Sequence, residues 1–310
     1  MKILITGGAG YIGSLLTPHL LRENHEVTVV DSLIYRQTSL LDYCHDENLT
    51  VINGDARDAN LIKQQLKKAD AILPLACLTG APLCARDPIA ARSTNLDAIQ
   101  LILEHRSKNQ RIIFPTTNSG YGVGEEGIHC TEETPLRPVS LYGKLKVEIE
   151  NVLLDSDNCM TFRFATVFGM SPRMRLDLLV NDFTYRAVKD RFIVLFEAHF
   201  KRNYLHVRDA VRVFSHGLSN FDTMKGEPYN VGLSEANLSK MELCQEIKKQ
   251  VPDFHVTEAE IGEDQDKRNY IVSNQKIEDT GFKTQYTLNQ GIAELIKGYQ
   301  IISKNQFSNI

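Results

Sequence analysis

Residues 2–13 read KILITGGAGYIG, and residues 26–31 read EVTVVD. The first stretch predicts a short apolar strand at Lys2–Thr6, followed at once by glycines at 7, 10 and 13 and then by the amphipathic run Tyr11–Arg22. Glycine at this spacing lets the backbone turn tightly and approach a pyrophosphate, and the helix that follows offers its open N–H groups and partial positive charge. Asp31 closes the next predicted strand about 20 residues further on, where an acid accepts the hydroxyls of an adenosine ribose. Gly7, Gly10, Tyr11, Ile12, Gly13 and Asp31 are thus candidate cofactor-binding residues. An acid at 31 repels a 2′-phosphate, which favours NAD over NADP. Arg36 argues the other way, because a nearby arginine accommodates that phosphate.

The same alternation continues outward. Strand-like runs fall at Leu49–Gly54, Ala71–Ala76, Arg111–Thr117 and Met160–Val167, separated by helix-like runs at Asp58–Lys68, Pro88–Arg106 and Leu141–Leu154. Short, fully apolar strands between amphipathic helices mark a parallel sheet covered on both faces. The predicted class is α/β, a Rossmann doubly wound parallel sheet. Asp55, with Ala56, follows the third strand at the end where such sheets bind ligands. The plainer role for Asp55 is a helix N-cap.

After Val167 the pattern loosens into loops rich in charged and aromatic residues, with helices at about Leu178–Lys189 and Lys240–Gln250, the latter introduced by Ser239. The expected organisation is an NAD-binding domain over 1–167 with a return at about 206–232. A smaller, interleaved C-terminal α+β substrate domain then comprises 168–205 and 233–310.

A net charge of −4 and a pI near 6.2 provide no basic field for a nucleic-acid backbone. The six cysteines show no pairing or metal-ligand spacing. No apolar stretch reaches membrane-spanning length and no leader precedes the first strand, so a cytoplasmic protein with reduced thiols is expected, with no metal and no membrane partner. Arg173 and Arg175 suit either a clamp on a pyrophosphate or a flexible surface loop. Cys77 and Cys84 read as small packed hydrophobes and His206 as structural.

Tyr142 and Lys146 stand four residues apart, hence on one face of a helix. A phenol titrates near pH ~10 in water, and an adjacent ammonium together with a bound nicotinamide is expected to draw it toward general-base range. With the glycine turn, this pair makes the chain resemble the extended short-chain dehydrogenase/reductase family, specifically its nucleotide-sugar epimerases, dehydratases and dehydrogenases. Other matching pieces are Gly54-Asp55, Leu75-Ala76, Asn95, Thr117 to Gly122, Arg163 to Gly169, and Arg202 to Val207. The resemblance implies Tyr142 as base, Lys146 as the residue that tunes it and holds the nicotinamide ribose, and Thr117 as partner of the substrate hydroxyl. It adds Leu75 and Ala76 to the cofactor site. It assigns substrate contacts to Thr117, Asn118, Thr166, Asn181, Arg202 and Arg268. It also implies a homodimer through the helices at Pro88–Arg106 and Leu141–Leu154.

Departures from the family pattern narrow the chemistry. The 4,6-dehydratases follow their threonine with Asp and Glu, whereas Asn118 and Ser119 stand here, and neither moves a proton as a carboxylic acid does. The asparagine that epimerases carry before V-Y-G is Thr166. Residues 74–84 (PLACLTGAPLC), 116–122 (TTNSGYG) and 173–183 (RMRLDLLVNDF) resemble a subgroup, the GDP-heptose 4-dehydrogenases of bacterial capsule synthesis. The leading expectation is NAD-dependent oxidation at C4 of a GDP-linked heptose or related GDP-sugar. The alternatives are a C4 epimerase that keeps its NAD, a 4,6-dehydratase, and a non-catalytic NAD sensor. The sensor is opposed by the presence of both Tyr142 and Lys146.

Overall fold

The computed structural model describes residues 1–259 and 268–302. Seven parallel strands form the central sheet: β1 (Lys2–Thr6), β2 (Glu26–Asp31), β3 (Leu49–Asn53), β4 (Ala71–Pro74), β5 (Arg111–Thr117), β6 (Cys159–Phe164) and β7 (Pro228–Val231). Their order is β3-β2-β1-β4-β5-β6-β7. The chain therefore winds outward from β1 to β3 and then crosses back to β4, leaving a crevice where the two directions part, beyond the ends of β1 and β4.

Strand residues divide between two cores by the two-residue period of a strand. Ile3, Ile5, Val27, Val29 and Ile113 face one core, with Leu16 and Leu20 of α1 (Gly13–Arg22). Leu4, Val30, Ile72, Ile112 and Phe114 face the other. The second face is covered by α2 (Ala59–Leu66), α3 (Ala98–His105) and α4 (Leu141–Leu154), through Ile62, Ile99, Ile102, Leu145 and Ile149. Beyond β6 come α5 (Leu179–Lys189), α6 (Val207–Ser219), α7 (Lys240–Gln250) and α8 (Leu288–Gly298). α6 leads back into the sheet at β7, and a reciprocal Ser239–Glu242 capping box starts α7.

Two elements expected whole are divided. The run Pro88–Arg106 is a helix at Pro88–Arg92, a π-helical turn at Ser93–Asp97, and α3. The wide turn lets buried Asn95 accept from the Leu78 N–H and donate to the Leu78 carbonyl, both at 2.8 Å, which anchors the loop after β4. The run Met160–Val167 ends as a sheet strand at Phe164. Thr166–Phe168 pairs instead with Lys201–His206 in a three-stranded sheet that Asn237–Ser239 completes. Smaller differences are that β3 and β4 stop at Asn53 and Pro74, and that α1 begins at Gly13, which leaves Tyr11 and Ile12 in the turn.

Candidate active site

The glycine turn opens into a cleft of about 710 Å³. Each glycine is required for its own reason. A Cβ on Gly7, whose φ is +73°, would lie 2.6 Å from the Ala76 nitrogen, and one on Gly13 would lie 2.6 Å from the Gly7 oxygen. A Cβ on Gly10 would meet only the Gly7 oxygen, at 3.2 Å, and would otherwise occupy the approach to the turn. No side chain caps the start of α1 at Ile12; the Ser14 N–H bonds the Gly10 carbonyl and those of Leu15 and Leu16 the Ile12 carbonyl, and the positive end of the helix dipole stands beside Ile12 and Gly13, which line the cleft. This turn fits a dinucleotide pyrophosphate.

Asp31 is buried beside the turn, its carboxylate accepting from Ala9 N and Leu33 N at 2.9 Å and from Gln37 Nε2 at 3.1 Å. The acid is fixed in place while still lining the cleft. Arg36 is exposed and does not line it, which removes the sequence argument for a 2′-phosphate. Asp55 and Ala56 line the same groove. Arg57 pairs with Asp55 at 2.6 Å and holds its carboxyl below the ordinary range. The cap of α2 is Asp58, not Asp55. Leu75 and Ala76 continue the cleft wall from β4.

The reactive end is built on α4, whose start is fixed by Ser140 Oγ accepting from Gly143 N at 3.1 Å. Tyr142 faces the cleft, and Lys146, one turn on, is buried with Nζ donating to the Pro115 carbonyl at 2.9 Å and lying 4.2 Å from the Phe114 ring centre. Thr117, at the end of β5, donates to Ser119 Oγ at 2.9 Å and accepts from Ser119 N at 3.1 Å. Arg268 donates to the same Ser119 oxygen. The expectation of a lowered Tyr142 pKa is corrected for the protein alone. Burial pushes the phenol far up, and the cations that pull it back are Arg175 and Arg268.

Thr117, Thr166 and Arg268 line the cleft, but three other residues expected to touch substrate do not. Asn118 is fully buried, and its amide oxygen and nitrogen have no hydrogen-bond partner among the described residues. Asn181 lies behind the wall, donating to Tyr11 Oη and the Arg175 carbonyl and accepting from Gly169 N. Arg202 is buried and donates to the Arg268 carbonyl, so it props a cleft residue from below. α4, β5 and the strand Thr166–Phe168 turn these side chains where sequence position alone could not place them.

Several cleft residues escaped the sequence reading or were left open by it. Ser119 carries no signal beyond standing where a dehydratase has an acid. Gln37 and Arg57 reach Asp31 and Asp55 through local turns. Cys77 lines the cleft, where burial pushes its thiol up. Arg173 and Arg175, whose alternation was visible, are not on a flexible surface: Arg173 is 5% exposed, and both line the cleft.

The sequence model of the NAD dependent epimerase/dehydratase family matches residues 3–232. The chain is 25% identical to the low-salt glycan biosynthesis protein Agl12 of Haloferax volcanii, over 96% of this chain and 98% of that one. It is 24% identical to the UDP-glucose 4-epimerase of Lactobacillus helveticus, over 80% and 81%. Among solved structures it is similar to DesIV, a dTDP-glucose 4,6-dehydratase of Streptomyces venezuelae with NAD bound. The TM-score is 0.84 and the identity 25%, with 97% of each chain covered.

Proposed function

The chain belongs to the NAD dependent epimerase/dehydratase family, and we propose that it oxidises C4 of a nucleotide-activated sugar, with Tyr142 as the base. The observation that carries this reading is one cleft holding the glycine turn, Asp31, Thr117, Tyr142 and Lys146 together. Bound NAD supplies the hydride acceptor. Thr117, already able to donate and accept at Ser119, turns its hydroxyl to the C4 oxygen and orients it. Tyr142, in its phenolate form, would take the C4 hydroxyl proton as the C4 hydrogen is given up with its electron pair, so that C–OH becomes C=O. Lys146, tethered to Pro115, keeps a fixed positive charge beneath the ring and beside the ribose site.

Dehydration across C5 and C6 is disfavoured, because Asn118 faces no cleft and Ser119 carries a hydroxyl where an acid would be needed. The second reading is a C4 epimerase that returns the hydride to the opposite face, supported by the UDP-glucose 4-epimerase among the relatives. The GDP-heptose assignment rests on the sequence combination at 74–84, 116–122 and 173–183 alone, while the relatives act on UDP- and dTDP-linked glucose by name. A homodimer through Pro88–Arg106 and Leu141–Leu154 belongs to the same proposal; Ile89 there is 84% exposed. Six free cysteines fit the reducing cytoplasm.

The test is a panel of GDP-, UDP- and dTDP-sugars incubated with the enzyme and NAD, followed at the NADH absorbance and by product configuration. A 4-keto product with accumulating NADH supports the dehydrogenase reading, an inverted C4 without NADH supports the epimerase, and neither with any sugar sinks both.

A further inference from the structure

β2 ends at Asp31, and the chain that follows doubles back on the acid. Leu33 and Arg36 have left-handed backbone, with φ of +50° and +53°, and the Arg36 N–H donates to the Leu33 carbonyl at 2.8 Å. Bulky side chains rarely adopt that conformation, so it persists only where surrounding contacts hold it. Here Leu33 N donates to Asp31 Oδ1 at 2.9 Å, and Ser39 Oγ donates to the Ala9 carbonyl of the glycine turn at 2.8 Å. The turn leaves Arg36 exposed and brings Gln37 back to the cleft wall beside Asp31.

Gln37 Nε2 donates to Asp31 Oδ1 at 3.1 Å, which fixes the amide's orientation, because a carboxylate only accepts. The other amide atom, Oε1, is buried and has no hydrogen-bond partner among the described residues. A buried acceptor of this kind is normally paired in a folded protein. Asp31 Oδ1 accepts from both Leu33 N and Gln37 Nε2, whereas Oδ2 accepts from Ala9 N alone. A carboxylate offers about four acceptor positions, so one stays open on Oδ2. Two open acceptors therefore stand side by side next to the glycine turn, one on Asp31 and one on Gln37, and a ribose diol carries two O–H donors.

We propose that Gln37 is a specificity-determining residue of the cofactor site, its Oε1 accepting from one hydroxyl of the adenosine ribose while Asp31 Oδ2 accepts from the other. The inference rests on the reading of the cleft as an NAD site. A 2′-phosphate replaces one of those donors by acceptor oxygens and negative charge, so it meets two acceptors with nothing to give them. Gln37 thus adds, through a neutral amide, to the selection for an unmodified ribose that Asp31 makes by charge.

The test uses the full chain freed of bound nucleotide, with ADP, 2′-deoxy-ADP and 3′-deoxy-ADP as separate probes in calorimetry. Gln37→Leu removes both amide atoms, whereas Gln37→Lys keeps a donor for Asp31 and removes the acceptor. In the parent protein, loss of either hydroxyl should weaken binding about 3- to 10-fold, the worth of one hydrogen bond. In both variants one of these two penalties should vanish and the other remain, because only one hydroxyl faces Oε1. Both penalties intact in either variant, or both lost together as a displaced Asp31 would give, overturns the assignment, as does their absence from the parent. Failure of the parent to bind ADP at all would sink the NAD reading, and this inference with it. Thermal melting of both variants confirms that the affinities compare folded proteins.

Discussion

The Glu150 carboxylate lies 2.8 Å from the Arg163 guanidinium, with their side chains only 2% and 7% exposed. Glu150 stands two turns beyond Tyr142 on α4, and Arg163 is the register partner of Thr116 on the neighbouring strand. Glu150 also accepts from Thr116 Oγ1 at 2.6 Å and Thr161 Oγ1 at 3.2 Å. One helix face thus carries Tyr142, the ammonium at 146 and, at 150, a buried anion that ties down the strand end carrying Thr117. Removing one partner leaves a buried charge uncompensated, which costs about 3–5 kcal/mol. Glu150→Gln should lower the urea midpoint accordingly, and adding Arg163→Met should restore part of it. Equal midpoints for Glu150→Gln and the parent protein would show that the pair is not structural.

At the reactive end, Tyr142→Phe should lower kcat by ~10²- to 10⁴-fold, the usual worth of a general base, with NAD affinity unchanged. Lys146→Met should lower kcat and weaken NAD together, because its ammonium serves both. Steady-state kinetics with cofactor titration separates the two patterns.

Ser119 is the hydrogen-bond partner of Thr117 and is reached by Arg268. Ser119→Ala removes one orienting bond and should lower kcat/KM about 3- to 10-fold, the worth of one hydrogen bond. Thr117→Val should cost more, and Thr117→Ser little, because only the hydroxyl is used.

Asn95→Ala should destabilise the protein by about 2–4 kcal/mol, since it leaves the Leu78 N–H and carbonyl without their 2.8 Å partners. Limited proteolysis should then cut the loop after β4 more readily, with product sites between residues 77 and 87. Wild-type resistance to proteolysis would contradict the anchoring role.

Burial works to raise the Asp177 carboxyl, but the charge and hydrogen bonds of Arg175 outweigh it and leave the pKa below its ordinary 3.8. A depressed folded pKa gives stability that is fully present above the unfolded value and is lost as pH falls through the folded one. The stability difference between the parent protein and Asp177→Asn should therefore be constant at neutral pH and shrink below about pH 4. Unfolding midpoints across pH 3–7 check this, and a difference that grows toward low pH would reverse the sign.

The cofactor half was legible because it is local. Gly7, Gly10, Gly13 and Asp31 lie within one strand-turn-helix-strand unit, so their spacing fixes their geometry. The period-two assignment of Ile3, Leu4 and Ile5 to opposite cores was likewise implicit in the pattern. Even Tyr142 and Lys146 share a helix face by spacing alone.

What the spacing left open was decided by contacts distant in sequence. Arg173 meets Tyr35, Arg268 meets Ser119, and Asn181 meets Tyr11 across 138, 149 and 170 positions respectively. Such pairs depend on how the chain returns across the cleft after Phe164. That return turns on Ala165, whose N–H donates to Val231 at the edge of the sheet and so releases Thr166–Phe168 into a second sheet. Sequence determined the glycine turn and the helix that carries Tyr142 and Lys146, since both are set by neighbours a few residues apart. Only tertiary structure decided which arginines enter the cleft and that Asn118 and Asn181 do not, because a side chain's burial is settled by whatever distant segment packs over it.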